Sequence, residues 1–213
     1  MKSQQIYIMG AHSTGKTTLA RYISQRWDLP LVTEVARSVL AEKELQLASL
    51  RTDLSTVNAY QREVFERQMA AEQAVAHTGF VSDRSFDNIA YAAQYSTITH
   101  DLMDSPTMRA YFCSMAGSII FFIRPHRDLV AHDGTRANVN WEDLVAIDGM
   151  VKFLLEMSGL RYIPVASQKM QERVRLVEAV LALADPRFRD AGEQGVIFPE
   201  AVPSNGVAEH LKR

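Results

Sequence analysis

The chain has 213 residues, of which 23 are Lys or Arg, 25 are Asp or Glu and 47% are hydrophobic. That size suits one domain with or without an extension, and the charge balance lacks the basic excess of a general nucleic-acid binder. The single cysteine, Cys113, excludes an intramolecular disulfide, and its apolar neighbours predict a buried core thiol. We find no apolar stretch suited to a membrane span or a signal peptide, so we expect a cytoplasmic protein that binds neither membranes nor nucleic acids.

The predicted elements alternate between strands and helices. In chain order they are a strand at 5–9, a helix at 17–27, a strand at 30–33, helices at about 35–48 and 55–77, a strand at 79–83, helices at about 86–95 and 104–115, a strand at 118–123, a loop at about 125–140, a helix at 141–158, a strand at 161–165 and a helix at 170–184. This alternation predicts an α/β doubly wound fold with a mostly parallel sheet. Residues 1–184 are the expected domain, and residues 185–213, with Pro and Gly but no period, predict an irregular extension. Whether that extension supports a homodimer stays open.

The strongest motif lies between the first strand and the first helix, where residues 10–17 match G-x-x-x-x-G-K-[ST]. Its glycines let the backbone N–H groups point inward at phosphate oxygens, and the helix N-terminus adds positive charge. The cofactor-binding residues predicted from this motif are Gly10, Ala11, His12, Ser13, Thr14, Gly15, Lys16, Thr17 and Thr18. Lys16 is expected to reach the β- and γ-phosphates, Thr17 to bind Mg²⁺ and Thr18 to lie near the α-phosphate. No Asn precedes a Lys in this chain, so a guanine-reading N-K-x-D sequence is absent and ATP is the expected nucleotide.

Acidic and basic residues follow the second and third predicted strands, at the sheet edge where α/β proteins bind ligands. Asp83 suits a metal-assisting acid, and Arg84 suits contact with the transferred phosphate or its acceptor. Glu34 suits a general base for an acceptor hydroxyl, and Arg37, one turn later, suits acceptor binding. Helix capping explains Asp83 and Glu34 as well, so both interpretations stay open.

Two further regions carry candidate residues. The loop at 125–140 and its flank contain Arg124, Arg127 and Arg136, and a mobile loop with arginines can close over a triphosphate and exclude water. On the long third helix, Gln61 and Tyr60 can contact the base or sugar of an acceptor, although core packing explains Tyr60 equally well. A solvated turn remains the alternative for the loop.

Four of these motifs in order resemble one family: GAHSTGKTTLA, Glu34-Val35-Ala36-Arg37, the SDRS sequence at 82–85 and the DGTR sequence at 133–136. Over residues 4–184 they are similar to the kinase domain of NadR-type nicotinamide riboside kinases, which belong with AAA-type ATP-binding proteins of the P-loop nucleoside/nucleotide-kinase fold. The resemblance implies a five-stranded parallel sheet of order 2-3-1-4-5 and phosphorylation of a nucleoside-like hydroxyl. It also implies that Glu34 and Asp83 handle the acceptor hydroxyl and the metal, and that Arg136 is a lid arginine.

Three functional hypotheses follow from the sequence. The leading one is a small-molecule kinase that uses ATP and Mg²⁺, with nicotinamide riboside or another nucleoside as acceptor. The second is a nucleotide-dependent ATPase or switch that acts through a protein partner of the extension. The third is a polynucleotide 5′-kinase or another nucleic-acid enzyme, which the charge balance disfavours.

Overall fold

The computed structural model describes residues 3–33, 35–42, 53–92, 97–129 and 140–189. Its centre is a parallel sheet of five strands in the order β2-β3-β1-β4-β5, which confirms the expected fold. The strands are β1 (Gln5–Gly10), β2 (Leu31–Val32), β3 (Phe80–Asp83), β4 (Ile119–Ile123) and β5 (Ile163–Val165). Strands β1 and β3 are parallel, and their register pairs Ile8 with Asp83. The carboxyl ends of the two strands therefore lie at the same edge of the sheet.

Within the described residues the chain forms eight α-helices. They are α1 (Lys16–Trp27), α2 (Ala36–Glu42), α3 (Leu54–Val75), α4 (Asp87–Ala92), α5 (Ile98–Met103), α6 (Pro106–Met115), α7 (Trp141–Met157) and α8 (Met170–Ala184). Local chemistry sets several starts: Asp53 accepts hydrogen bonds from two backbone N–H groups of α3, Ser105 caps α6 ahead of Pro106, and Asn140 caps α7. None of the helices in these ranges is long and apolar enough to cross a membrane.

Helices cover both faces of the sheet because the central strands are apolar on both faces. Alternate residues of β1 enter different cores: Tyr7 and Met9 pack with α3, α6 and α7, whereas Ile6 and Ile8 pack with α1 and α8. The start of the predicted extension also joins a core, since Phe188 is buried with its ring 5.4 Å from that of Trp27. The extension from residue 190 onward lies outside the described residues, as does the later part of the predicted 35–48 helix.

The buried thiol predicted for Cys113 is wrong, because this residue is exposed. The buried residues of α6 are Met108, Tyr111 and Met115, spaced by three and four positions. Cys113 lies two positions from Tyr111 and from Met115, which places it on the opposite side of the helix. An apolar sequence neighbourhood therefore did not indicate the buried face.

Candidate active site

The phosphate loop connects β1 to α1 at the edge where the strands end. Gly10 has φ of 140°, and a Cβ at this position would lie 2.3 Å from the carbonyl oxygen of Ile123 in β4. Gly15 has φ of 87° and is the left-handed N-cap of α1. Both glycines therefore occupy positions where the backbone excludes or disfavours a side chain.

The loop folds around the Lys16 side chain. Lys16 is buried, and its Nζ donates to the carbonyl oxygen of Ala11 at 2.6 Å. The same carbonyl oxygen accepts from Thr14 Oγ1 at 3.0 Å. Ser13, Thr17 and Thr18 are exposed. The arrangement places an ammonium group inside the loop and leaves residues at the start of α1 accessible to a ligand.

Thr17 and Asp83 meet across the end of the sheet. Thr17 Oγ1 donates to Asp83 Oδ2 at 2.6 Å. The other carboxylate oxygen, Asp83 Oδ1, is buried and has no hydrogen-bond partner among the described residues. A hydroxyl group and a carboxylate oxygen are ligands that suit Mg²⁺, because this ion is usually coordinated by one or two protein oxygens together with water and phosphate oxygens. The two residues predicted as metal ligands are thus adjacent and fit a magnesium ion.

Arg84 turns back toward the phosphate loop in a strained conformation. Its φ is 100°, unusual for a residue with a side chain, and its backbone N–H donates to the carbonyl oxygen of Ile8 at 3.1 Å. The buried guanidinium donates to the Tyr91 hydroxyl and lies 4.8 Å from the centre of that ring. Tyr91 in turn donates to the carbonyl oxygen of Gly10 at 2.9 Å and packs against the His12 ring, with ring centres 3.9 Å apart and planes tilted by 37°. Tyr91 therefore joins Arg84 to the loop.

A second contact between α4 and the loop comes from Asp87, which is fully buried. Its carboxylate accepts from the backbone N–H of Gly10 at 3.3 Å and from that of Ser85 at 2.7 Å. Burial raises the pKa of this carboxyl, while the positive charges of Arg84 and Lys16 oppose the rise. Asp87 thus fixes the backbone of the loop relative to the turn after β3.

Sequence reasoning missed Asp87, Tyr91 and one further residue, Arg173 of α8, whose guanidinium donates to the carbonyl oxygen of Thr14. All three contact backbone atoms of the loop, and no motif predicts such contacts. The spacing of four residues between Asp83 and Asp87 gave no signal either, because Asp83 ends β3 and Asp87 begins α4, so the two residues do not share a helix.

The remaining predicted residues are only partly described. Glu34 and Arg136 lie outside the described residues, and for Arg37 only the backbone, in α2, is described. Gln61 is 8% exposed, and its side-chain oxygen finds no hydrogen-bond partner within the described ranges. Tyr60 is buried and donates to the carbonyl oxygen of Ala36 at 2.9 Å, which attaches α2 to α3.

Of the arginines near the predicted lid, Arg124 has a structural partner. Its Nε and Nη2 donate to the two carboxylate oxygens of Asp148 in α7 at 3.0 and 2.6 Å. This bidentate pair joins the residue after β4 to the helix that follows the loop. Arg127 is exposed in a short 3₁₀ turn, and residues 130–139 lie outside the described ranges.

The chain is similar to known proteins in sequence and in fold. The sequence matches an AAA domain over residues 5–173. No curated protein matches it. Among solved structures, a NadR protein in complex with NR has a TM-score of 0.64 at 19% identity, over 84% of this chain and 50% of that one. A deoxyadenosine kinase from M. mycoides with bound dCMP has a TM-score of 0.59 at 14% identity, over 84% of this chain and 100% of that one. A shikimate kinase from Acinetobacter baumannii in complex with shikimate has a TM-score of 0.50 at 11% identity, over 85% of this chain and 92% of that one.

These structures share the fold of small-molecule kinases, and the chain spans half the length of the NadR protein. The family match covers most of the chain, including the phosphate loop and the Asp83–Arg84 turn. The chain belongs to the AAA domain family and has the P-loop kinase fold.

Proposed function

We propose that the protein is an ATP-dependent kinase that transfers the γ-phosphate to a hydroxyl group of a nucleoside-like small molecule. The observation that carries this proposal is the arrangement of Lys16, Thr17 and Asp83: a buried ammonium inside the phosphate loop, beside a hydroxyl–carboxylate pair. Such a site supplies the positive charge and metal ligands that phosphoryl transfer requires.

Thr17 and Asp83 would hold Mg²⁺, which neutralises charge on the β- and γ-phosphates when bound. The backbone N–H groups of the loop bind the phosphate oxygens, and Lys16 exchanges its contact with Ala11 for the β- and γ-phosphates. Because none of these contacts involves the acceptor, ATP is expected to bind to the protein when the acceptor is absent.

The acceptor side is formed by residues from α3 and the turn after β3. Gln61 has a buried amide oxygen without a partner among the described residues, and in this proposal it accepts a hydrogen bond from a base or sugar. Arg84, held near the loop through Tyr91, supplies positive charge where the acceptor and the γ-phosphate meet. In this proposal Arg37 binds the acceptor, and Glu34 takes the proton of its hydroxyl as the oxygen attacks phosphorus and ADP leaves.

Nicotinamide riboside is the first acceptor to test, because the four ordered motifs resemble NadR-type kinases and a NadR protein with NR shares the fold. Deoxynucleosides are the second, since a deoxyadenosine kinase also shares it. Arg136 is proposed as a lid arginine that excludes water, so that water does not replace the acceptor.

A phosphoryl-transfer screen tests the proposal. Purified protein with ATP and Mg²⁺ is incubated with ribosides, deoxynucleosides, monophosphates and shikimate, and products are read by mass spectrometry. We expect one class of acceptor to be phosphorylated and transfer to be abolished in Lys16→Ala. Lys152→Ala, which removes an exposed lysine of α7, is the matched control.

Two further variants separate the roles within the site. Asp83→Asn is expected to lower turnover by about 100-fold or more, and Glu34→Gln is expected to lower turnover far more than ATP affinity. ATP hydrolysis without transfer to any acceptor would contradict the kinase and favour the switch. Unchanged activity of Lys16→Ala would refute the assignment of the phosphate loop.

A further inference from the structure

Helix α8 brings a buried arginine to the outside of the phosphate loop. Arg173, in the first turn of α8, is 2% exposed. Its Nε donates to the carbonyl oxygen of Ser167 at 2.6 Å, and its Nη1 donates to that of Thr14. A Cβ on Gly15 would lie 3.1 Å from the same Nη1. One guanidinium therefore joins the segment between β5 and α8 to the loop, and it restricts the space beside Gly15.

The charge of this guanidinium is incompletely compensated. Its Nη2 is buried without a hydrogen-bond partner among the residues that the structure describes. Burial lowers the pKa of Arg173, and no carboxylate within the described part of the chain opposes that effect. An arginine remains protonated even so, and a buried cation without a counter-charge is costly.

We propose that Arg173 is a positioning residue for the nucleotide, and that the phosphates bound by the loop compensate its charge. The inference rests on the proposed function, since it requires a triphosphate at Gly15–Thr17. Two properties of the side chain are used: its fork keeps the Thr14 and Ser167 carbonyl groups at a fixed separation, and its charge lies directly behind the loop that receives the phosphates. Lys16 acts from inside the loop and Arg173 from outside it.

Four variants of the full-length chain test this inference. Arg173→Met removes both charge and hydrogen bonds, Arg173→Gln keeps an N–H donor without charge, and Arg173→Lys keeps charge without the fork. Arg175→Met is the matched control, because Arg175 is exposed on the same helix and its removal changes the net charge equally. The dissociation constants of MgATP and MgADP are measured by calorimetry, and circular dichroism checks that each variant is folded.

We expect Arg173→Met to weaken MgATP binding by at least about tenfold, or about 1.4 kcal/mol. The loss should be smaller for MgADP, which carries less negative charge, and Arg173→Lys should retain more affinity than Arg173→Gln. Arg175→Met should bind like the original protein. If Arg173→Met does not fold, the comparison of Lys with Gln at this position carries the test.

Three results would overturn the inference while leaving the kinase intact. They are unchanged MgATP affinity in Arg173→Met, equal losses for MgATP and MgADP, and equal affinities of the Lys and Gln variants. Failure of the unmodified protein to bind MgATP would instead refute the proposed function itself, so the two failures are distinguishable.

Discussion

Replacing Glu72 with Gln should change how the stability of the protein depends on pH. Glu72 lies on α3 against the middle of the sheet and is 3% exposed. Its carboxylate accepts hydrogen bonds from four side chains, which are Tyr7, Gln68, Ser82 and Tyr111. Burial raises its pKa from 4.5 to about 7 although all four donors favour the charged form. Desolvation therefore outweighs a full set of hydrogen bonds.

The sign of the effect follows from proton linkage. A carboxyl whose pKa is higher in the folded protein binds its proton more tightly there, so it stabilises the fold in acid and the stabilisation is lost as pH rises through about 7. Each pKa unit is worth about 1.4 kcal/mol, and the rise from 4.5 to about 7 gives a contribution of about 3 kcal/mol. Most of it should be lost between about pH 5 and pH 8.

The assay is urea unfolding of the original protein and of Glu72→Gln across that pH range. A glutamine has similar shape and does not titrate, and the tyrosine and serine hydroxyls can reorient to donate or accept. The free energy of unfolding of the original protein should fall by about 2–3 kcal/mol more than that of the variant as pH rises. Other titrating groups are common to both proteins and cancel in the difference.

Glu66→Gln is the control, because Glu66 is exposed on the same helix and is solvated in both states. The free energy of unfolding of Glu66→Gln should change with pH in parallel with that of the original protein. Parallel curves for the original protein and Glu72→Gln would refute the reasoning, since they would show that Glu72 binds its proton equally tightly when folded and unfolded.

Three further predictions concern the phosphate loop, the Arg124–Asp148 pair and α6. Gly10→Ala should lower the free energy of unfolding by at least about 2 kcal/mol, because the new Cβ would lie 2.3 Å from the carbonyl oxygen of Ile123 and the φ of residue 10 is 140°. Urea unfolding like that of the original protein would contradict this prediction. Arg124→Met should lower the free energy of unfolding by about 1–2 kcal/mol, because it leaves the buried Asp148 carboxylate without its partner. This value already allows for the partial exposure of Arg124, which weakens the pair. An unchanged urea midpoint would refute the prediction. Cys113 should react with a thiol reagent in the native protein, and a requirement for denaturant would show that it is buried.

The sheet and most helices could be predicted because their information is local. Each strand is a short apolar run, and the phosphate-loop motif marks where β1 ends and α1 begins. The sequence did not predict α5 as a separate helix, since the six residues Ile98–Met103 are too few to show a clear period. The strand order came from resemblance to a family, because apolar runs carry no information on which strands are neighbours.

The candidate site was predicted where its chemistry belongs to a motif or to a strand end. Lys16, Thr17 and Asp83 are of this kind, and the structure brings Thr17 and Asp83 into direct contact. Arg124 was predicted as a lid arginine because it lies beside a loop rich in charge. In the structure it pairs with Asp148, which lies 24 residues away on α7 and could not be identified from the sequence near Arg124. A side chain's partner across the fold decides whether its charge is available to a ligand.

The contacts missed at the phosphate loop share a physical reason. Asp87 accepts from the backbone N–H of Gly10, Tyr91 donates to the carbonyl oxygen of Gly10, and Arg173 donates to that of Thr14. Each bond ends on a backbone atom, so the loop's own side chains give no sign of its partner. The motif provides the glycines and the lysine, whereas helices on two sides of the loop fix the directions of its backbone groups. Nucleotide binding should therefore depend on α4 and α8 as well as on the motif itself.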